Sequence, residues 1–268
     1  MNRPLLQVNI QASYGKRQVL RDVQFELNAG EALGFVGTSG AGKSTLVMSL
    51  LGLLPWRGGD VSGEVMMVGR NLLQLNEREM RKLRGKEIAL VPQSPMTALN
   101  PALSLRAHFE EAWNAHEESG RKGLEARLAE LLPEVQLPGD AEFLRRRSGE
   151  VSVGQAQRVM IALALLHRPK VLVADEPTSA LDPVTQAEVL TLLKRLNRST
   201  GTALLYVSHD LISVLQMCDR IAVLSEGSVV ECLAVREIAQ AKHAATLALL
   251  RSLPVSAETI IRGGVSQE

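Results

Sequence analysis

Gly37 to Thr45, GTSGAGKST, carries glycines, a lysine and a following serine at the spacing G-x-x-x-x-G-K-[ST]. That set suits one chemistry. Gly37, Gly40 and Gly42, with Thr38, Ser39 and Ala41 between them, let the backbone curl so that successive N–H groups face a polyphosphate. Lys43 can reach the β- and γ-phosphates, the Ser44 hydroxyl can ligate Mg²⁺, and Thr45 adds a phosphate contact in the first helical turn. The segment follows an apolar run, EALGFVG, and precedes a helical pattern, KSTLVMSLLGLL, so the cradle opens at a helix N-terminus whose field favours anions. The expected ligand is ATP or GTP with Mg²⁺.

Other apolar runs end in groups that fit the same chemistry. VLVADE, Val171 to Glu176, delivers two carboxylates to the C-terminal edge of a sheet, where α/β proteins bind ligands. Asp175 is expected to hold the magnesium through water and Glu176 to polarise an attacking water. LLYVSHD delivers His209 to a comparable strand exit, where it could contact the γ-phosphate and orient the water. His108, His116, His167 and His243 lie in polar or helical settings and read as surface or packing residues. Tyr14, in SYGKRQVL, either stacks on a purine or covers core; its surroundings leave both open.

Strand-like runs recur at LLQVNI, VLRDVQFEL, EALGFVG, GEVMMVG, KEIALVP, KVLVADE, GTALLYVSHD, RIAVLSEG and SVVECL. Helical patterns fall after the cradle and at Asn76–Arg84, Leu103–Glu118, Gly123–Leu132, Gln155–Leu166, Pro183–Asn197 and Val235–Leu250, with a weakly patterned tail from Pro254. From Ser94 to Leu166 the strand signals vanish, which predicts a helical subdomain, 94–166, inserted in an α/β core. The alternation predicts a P-loop NTPase core with a largely parallel sheet, and the hairpin-like opening strands predict an antiparallel β side sheet.

Composition narrows the class further. The chain has 268 residues, 46% of them apolar, which fits one large domain with an inserted subdomain. With 30 basic and 29 acidic residues the net charge is +1, so no nucleic acid is expected as a partner. Cys218 and Cys232 are too far apart for a zinc framework and read as reduced thiols. The start, MNRPLLQVNI, lacks the apolar core of a secretory signal. The strongest apolar run, Val159 to Leu166, is far shorter than the roughly 18 residues a membrane span needs.

In the order of these motifs the chain resembles the ATP-binding subunits of ABC transporters over nearly its whole length. Tyr14 matches the adenine-stacking position, Gly37–Thr45 the Walker A loop, and Gln93 in VPQSPMTALNP the Q-loop glutamine, which senses magnesium and meets the membrane subunit. VSVGQ matches the signature motif usually written LSGGQ, Asp175 and Glu176 the Walker B aspartate and catalytic glutamate, Ser179–Asp182 the D-loop, and His209 the switch histidine. NLLQLNEREMRKLRGKEIALVPQSPMTALNP looks like the oligopeptide, dipeptide and nickel importer branch. Lys242–Pro254 looks like that branch's C-terminal extension, within a C-terminal helix and tail spanning 233–268. Ala244 and Ala245 stand where a proline and tyrosine usually follow the histidine, and the short tail leans towards the nickel or metal-chelate members.

The resemblance implies one ABC ATPase domain, 1–268, that binds ATP and Mg²⁺ and powers import of a peptide, nickel or a metal chelate. It implies a second ATPase subunit, identical or paralogous, two transmembrane permease subunits, and indirectly an extracytoplasmic solute-binding protein, with this chain peripheral at the cytoplasmic face of the inner membrane. Glu176, His209, Lys43 and Gln93 would be catalytic. Ser44, Gln93 and Asp175 would serve the metal. Ser152, Gly154, Gln155 and Asp182 would serve a nucleotide, Ser152 and the Gly154 N–H contacting the partner's γ-phosphate. A physical argument agrees: the chain has its own cradle, so a second anion-binding helix N-terminus after VSVGQ makes sense if it completes a partner's site. Val153 replaces the first glycine of the signature pair. Helical or extended backbone there accommodates valine, whereas a positive φ would strain it and weaken the site. Two other classes share the nucleotide motifs, a soluble non-transport ABC-type ATPase and a nucleotide-dependent regulatory module. Intact Glu176 and His209 count against the second.

Overall fold

The computed structural model describes residues 3–117 and 120–253; the tail predicted from Pro254, and Glu118 at the end of one predicted helix, lie outside the described residues. In chain order the strands are β1 (Leu6–Tyr14), β2 (Arg17–Leu27), β3 (Ala32–Val36), β4 (Asp60–Met67), β5 (Arg70–Asn71), β6 (Ile88–Val91), β7 (Val171–Asp175), β8 (Ala203–Ser208), β9 (Arg220–Ser225) and β10 (Ser228–Ala234). The α-helices are α1 (Lys43–Leu50), α2 (Glu77–Leu83), α3 (Pro95–Ala98), α4 (Leu105–Asn114), α5 (Gly120–Glu134), α6 (Ala141–Arg145), α7 (Val153–Leu165), α8 (Pro183–Thr200), α9 (Leu211–Met217) and α10 (Ala244–Arg251). The chain divides into two compact units, Met1–Met80 with Ala203–Glu268, and Arg81–Thr202.

The first unit holds strands in the order β5-β4-β1-β2-β10-β9-β3-β8. In β1, Leu6, Val8, Ile10 and Ala12 are buried while Gln7, Asn9 and Gln11 face solvent, the alternation of a one-sided antiparallel strand. It pairs antiparallel with both β2 and β4. Strands β3 and β8 are buried at every residue, as parallel strands covered on both faces must be. β3 lies parallel between β8 and β9. Gly34 interrupts the apolar run of β3 for a packing reason: a Cβ there would lie 2.3 Å from Val214 Cγ1, so α9 rests directly on the strand. The sheet is therefore mixed, with the parallel strands at one end and the antiparallel side sheet at the other.

The predicted single helix Val235–Leu250 is replaced by a 3₁₀ segment, Val235–Gln240, followed by α10. The break has a local cause. The Glu231 carboxylate accepts the backbone N–H groups of Lys242 at 2.8 Å and His243 at 3.3 Å, and His243 Nδ1 accepts the Ala245 N–H at 3.2 Å as the cap of α10. Those bonds satisfy donors that a continuous helix would have used internally.

In the second unit β6 and β7 pair in parallel, Ile88 opposite Val171 through Val91 opposite Ala174. Helices dominate the stretch between them. Leu105, Phe109 and Trp113 of α4 and Leu124, Leu128 and Leu131 of α5 are buried at the three- or four-residue spacing that gives a helix one apolar face, while α7 buries a broader surface that includes Val159, Ile161 and Ala162. Arg127 fastens the far end of α7, its Nε donating to Leu166 O at 2.9 Å and its Nη2 to Leu165 O at 2.8 Å. Leu165 O also accepts the Arg168 N–H at 3.0 Å, and a guanidinium at this helix C-terminus both adds a donor to the last carbonyls and suits the helix field. Among the described residues, no helix is long and apolar enough to cross a membrane.

Candidate functional site

The cradle belongs to the first unit. Helix α1 begins at Lys43 behind Gly42, which takes φ 108, and Gly40 takes φ 82. Gly42 is constrained twice, because a Cβ would also lie 2.6 Å from Leu20 Cδ2. At Gly37 a Cβ would lie 2.3 Å from Leu224 O, so the loop runs tight over the neighbouring strands. The Lys43 side chain is buried along the loop, its ammonium donating to Gly37 O at 2.8 Å and Thr38 O at 3.2 Å. Thr38, Ser39, Gly40 and Ser44 face solvent, while Ala41 is buried and Thr45 half-buried.

Register sets the exit of β8, where His209 stands, level with the start of this loop. Val36, the residue before Gly37, is opposite Ser208, the residue before His209, in the β3–β8 pairing. Polar residues the motif reading passed over hold the exit in place. Tyr206 donates its hydroxyl to Ser213 Oγ at 3.2 Å, Ser213 donates to Asp210 O at 2.7 Å, and the Asp210 N–H donates to Ser208 Oγ at 3.0 Å. Asp210 also caps α9, its carboxylate accepting the Ile212 N–H at 3.0 Å. Exposed His209 thus sits between two anchored neighbours. The clue in the sequence was an aspartate immediately ahead of the apolar run LISVLQM, an N-cap signal.

Tyr14 closes β1 opposite Arg17, across a turn in which Gly15 takes φ 56. Its ring lies beside Gly59, where a Cβ would come within 3.1 Å of Tyr14 Cε1. Being 36% exposed, Tyr14 does not fill the core and keeps surface available for stacking.

The second unit carries the carboxylates. Asp175 is the last residue of β7, and Glu176 follows with φ 47, a left-handed conformation that costs a non-glycine residue about 1–2 kcal/mol. Ser179 holds the turn with its N–H at 3.2 Å and its hydroxyl at 3.1 Å, both donating to Glu176 O. Gln93 and Glu176 each stand two residues beyond the pair Val91 and Ala174, so the parallel register brings them level. Gln93 Nε2 donates to Glu176 Oε2 at 3.1 Å. That bond uses the amide nitrogen; the amide oxygen is the kind of donor a hard cation takes.

Ser152 and Gln155 frame the start of α7. Ser152 Oγ accepts the Gln155 N–H and Gln155 Oε1 accepts the Ser152 N–H, both at 3.1 Å, a reciprocal capping box. The helix therefore starts at Val153, two residues before the apolar pattern alone places it. Val153 opens α7 with ordinary helical backbone and is 40% exposed, so the strain that a positive φ would have imposed is absent. Val153→Gly should leave ATP turnover within about twofold and cost at most about 1 kcal/mol of stability through unfolded-chain freedom. Turnover assays beside thermal melts check this, and a large loss of turnover would make the valine itself part of an interface. Gly154 is the constrained position: a Cβ there would lie 2.6 Å from Thr185 Cγ2.

Asp182 has a local task as the N-cap of α8. It accepts the Thr185 hydroxyl at 2.6 Å and the N–H groups of Thr185 and Val184, each at 3.1 Å. The Thr185 hydroxyl, then the backbone N–H groups, hold its carboxyl below the usual carboxylate range. The described structure thus gathers the sequence-predicted residues into two sets, the cradle with His209 in one unit, and Gln93, Asp175, Glu176, the signature residues and Asp182 in the other.

Comparison with known proteins gives the class. The family model of the ABC transporters matches residues 20–179, and the chain belongs to that family. It is 39% identical over 251 residues to the oligopeptide transport ATP-binding protein OppD of Bacillus subtilis, covering 93% of this chain and 70% of that one. It is 38% identical over 242 residues to the probable D,D-dipeptide transport ATP-binding protein DdpD of Escherichia coli, covering 90% and 74%. Among solved structures, cbiO1 from Clostridium perfringens, part of the ABC transporter complex cbiONQ, superposes with a TM-score of 0.76 at 25% identity, covering 94% of this chain and 96% of that one. A dimeric, post-hydrolysis ATP-binding cassette bound to ADP and Pi gives a TM-score of 0.71 at 27% identity, covering 86% and 98%. The protein is an ATP-binding and ATP-hydrolysing subunit, and its family works as multi-subunit transporters.

Proposed function

We propose that this subunit powers import of peptides, working at the cytoplasmic face of the membrane with a second cassette and two permease subunits, and indirectly with an external solute-binding protein. Peptides are favoured over nickel or metal chelates by relatives named for oligopeptide and D,D-dipeptide transport. The observation that carries the coupling is the bond from Gln93 to Glu176. A glutamine from the segment assigned to meet the membrane subunit sits on the carboxylate assigned to activate water, so displacement of one is felt by the other. The helices within 94–166 would carry that displacement.

In the chemistry we assign, Lys43 and the N–H groups of Gly37–Thr45 bind the phosphates and Tyr14 stacks on the adenine. Glu176 polarises water for attack on the γ-phosphorus, the bond from that phosphorus to the β–γ bridging oxygen breaks, and ADP and phosphate leave. His209 orients the water against the γ-phosphate. Mg²⁺ would be held by Ser44, Gln93 and Asp175, whose oxygen donors suit a hard cation, and it would supply charge neutralisation on the phosphates. Ser152, Gly154 and Gln155 offer the α7 N-terminus to the partner's ATP, so that binding closes the dimer and hydrolysis reopens it.

The test is reconstitution with the proteins that co-purify with the chain from membranes. ATP turnover should rise about tenfold when peptide-loaded binding protein is added, the response expected if closure limits hydrolysis. Turnover near zero with all partners present would remove the transport-ATPase reading. Stimulation by nickel-loaded and not by peptide-loaded binding protein would replace the cargo.

A further inference from the structure

Thr185 joins the two elements assigned to the partner's nucleotide. It lies in the first turn of α8, three residues after the D-loop aspartate. Its hydroxyl donates to Asp182 Oδ2 at 2.6 Å, and its methyl occupies the space beside Gly154 where a Cβ would come within 2.6 Å. A hydroxyl on the D-loop and a methyl on the signature helix are thus carried by one side chain. One turn further along both helices, Arg158 Nη2 of α7 donates to Glu188 Oε2 of α8 at 2.6 Å. Arg158 also donates to Gln136, just beyond α5. With Arg127 holding the C-terminal end, α7 is fixed at both ends and along its side.

We propose that Thr185 is a positioning residue for hydrolysis, locking the D-loop cap to the start of α7 so that both reach the partner's ATP as one body. The inference rests on the reading that the signature helix completes a partner's site. It also separates the two positions of the signature pair. Val153 points its bulk into open surface, being 40% exposed, whereas Gly154 faces Thr185. Helix propensity alone would favour alanine over glycine at 154, so the glycine is retained against propensity by this contact.

The chain assembled with its membrane partners provides the test, with kcat and KM for ATP read separately and thermal midpoints read beside them. Thr185→Val keeps the methyl and loses the hydroxyl; kcat should fall about fivefold with KM within about twofold, because an interaction used after ATP binding is lost. Thr185→Ser keeps the hydroxyl and loses the methyl that rests beside Gly154, so kcat should fall about threefold with KM within about twofold. Gly154→Ala should lower kcat at least about tenfold, and Gly154→Ala with Thr185→Ser should recover most of it, since the obstructing methyl is gone. Thr185→Val with unchanged kcat, or a double variant no better than Gly154→Ala, would overturn the positioning role. Ser152→Ala separates the underlying reading. If it leaves turnover and ATP-driven closure unchanged, the signature-helix assignment falls; if it impairs both while the double variant shows no recovery, only the role of Thr185 falls.

Discussion

Glu176→Gln should reduce ATP turnover by at least about 100-fold, roughly 2.7 kcal/mol of transition-state stabilisation, while ATP affinity stays within about threefold. The residue holds φ 47, and glutamine meets the same backbone cost there as glutamate, so the turn held by Ser179 should persist. Gln93 can still donate to the oxygen of the new amide, as it does to Glu176 Oε2 at 3.1 Å. What disappears is the negative charge to which we assign polarisation of water. ATP should therefore bind, close the dimer and remain. Single-turnover kinetics and size-exclusion profiles of the assembled transporter read the two effects separately. A variant that hydrolyses ATP at the parental rate would remove Glu176 from the chemistry, and one that never closes with ATP would show that the carboxylate acts in assembly instead.

Much of this arrangement was legible because each piece is local. Gly37–Thr45 announces a cradle by residue type and spacing, and the buried strand β3 ahead of it was equally plain. The runs VLVADE and LLYVSHD fixed which residues leave the strands. Register then does work that no local pattern records: Gln93 meets Glu176 because Val91 pairs with Ala174, and His209 follows Ser208 at the level of Gly37. The reasons for individual glycines were also hidden. Gly42 answers to Leu20, Gly37 to Leu224 and Gly154 to Thr185, all partners remote in sequence. In the other direction, the apolar periodicity of Val235–Leu250 overrode a competing signal. His243 caps a new helix and Glu231, on β10, takes the backbone donors that break the old one. Periodicity reports which face is apolar and says little about where a polar side chain diverts the backbone.

Lys43→Ala should act at the opposite end of the cycle, weakening ATP binding before hydrolysis is reached. Lys43 is nearly enclosed, 7% exposed, and its ammonium donates to Gly37 O and Thr38 O, which places a positive charge inside the cradle. A lysine at that place in the cradle is assigned to the phosphate oxygens. Loss of charged hydrogen bonds worth about 3 kcal/mol in all corresponds to about a 100-fold rise in Kd for ATP. Removal also frees two loop carbonyls, so the nucleotide-free protein should lose about 1–2 kcal/mol of stability. Thermal unfolding with and without ATP reads both terms, because a ligand that binds only the folded chain raises its midpoint with the logarithm of ligand concentration over Kd. The parent should be protected by millimolar ATP and Lys43→Ala should not. Equal protection of both would mean that the phosphates are held elsewhere, and Lys43 would then be only a brace for the loop. The contrast with Glu176→Gln makes the pair diagnostic: one variant should retain ATP without turning it over, and the other should fail to retain it.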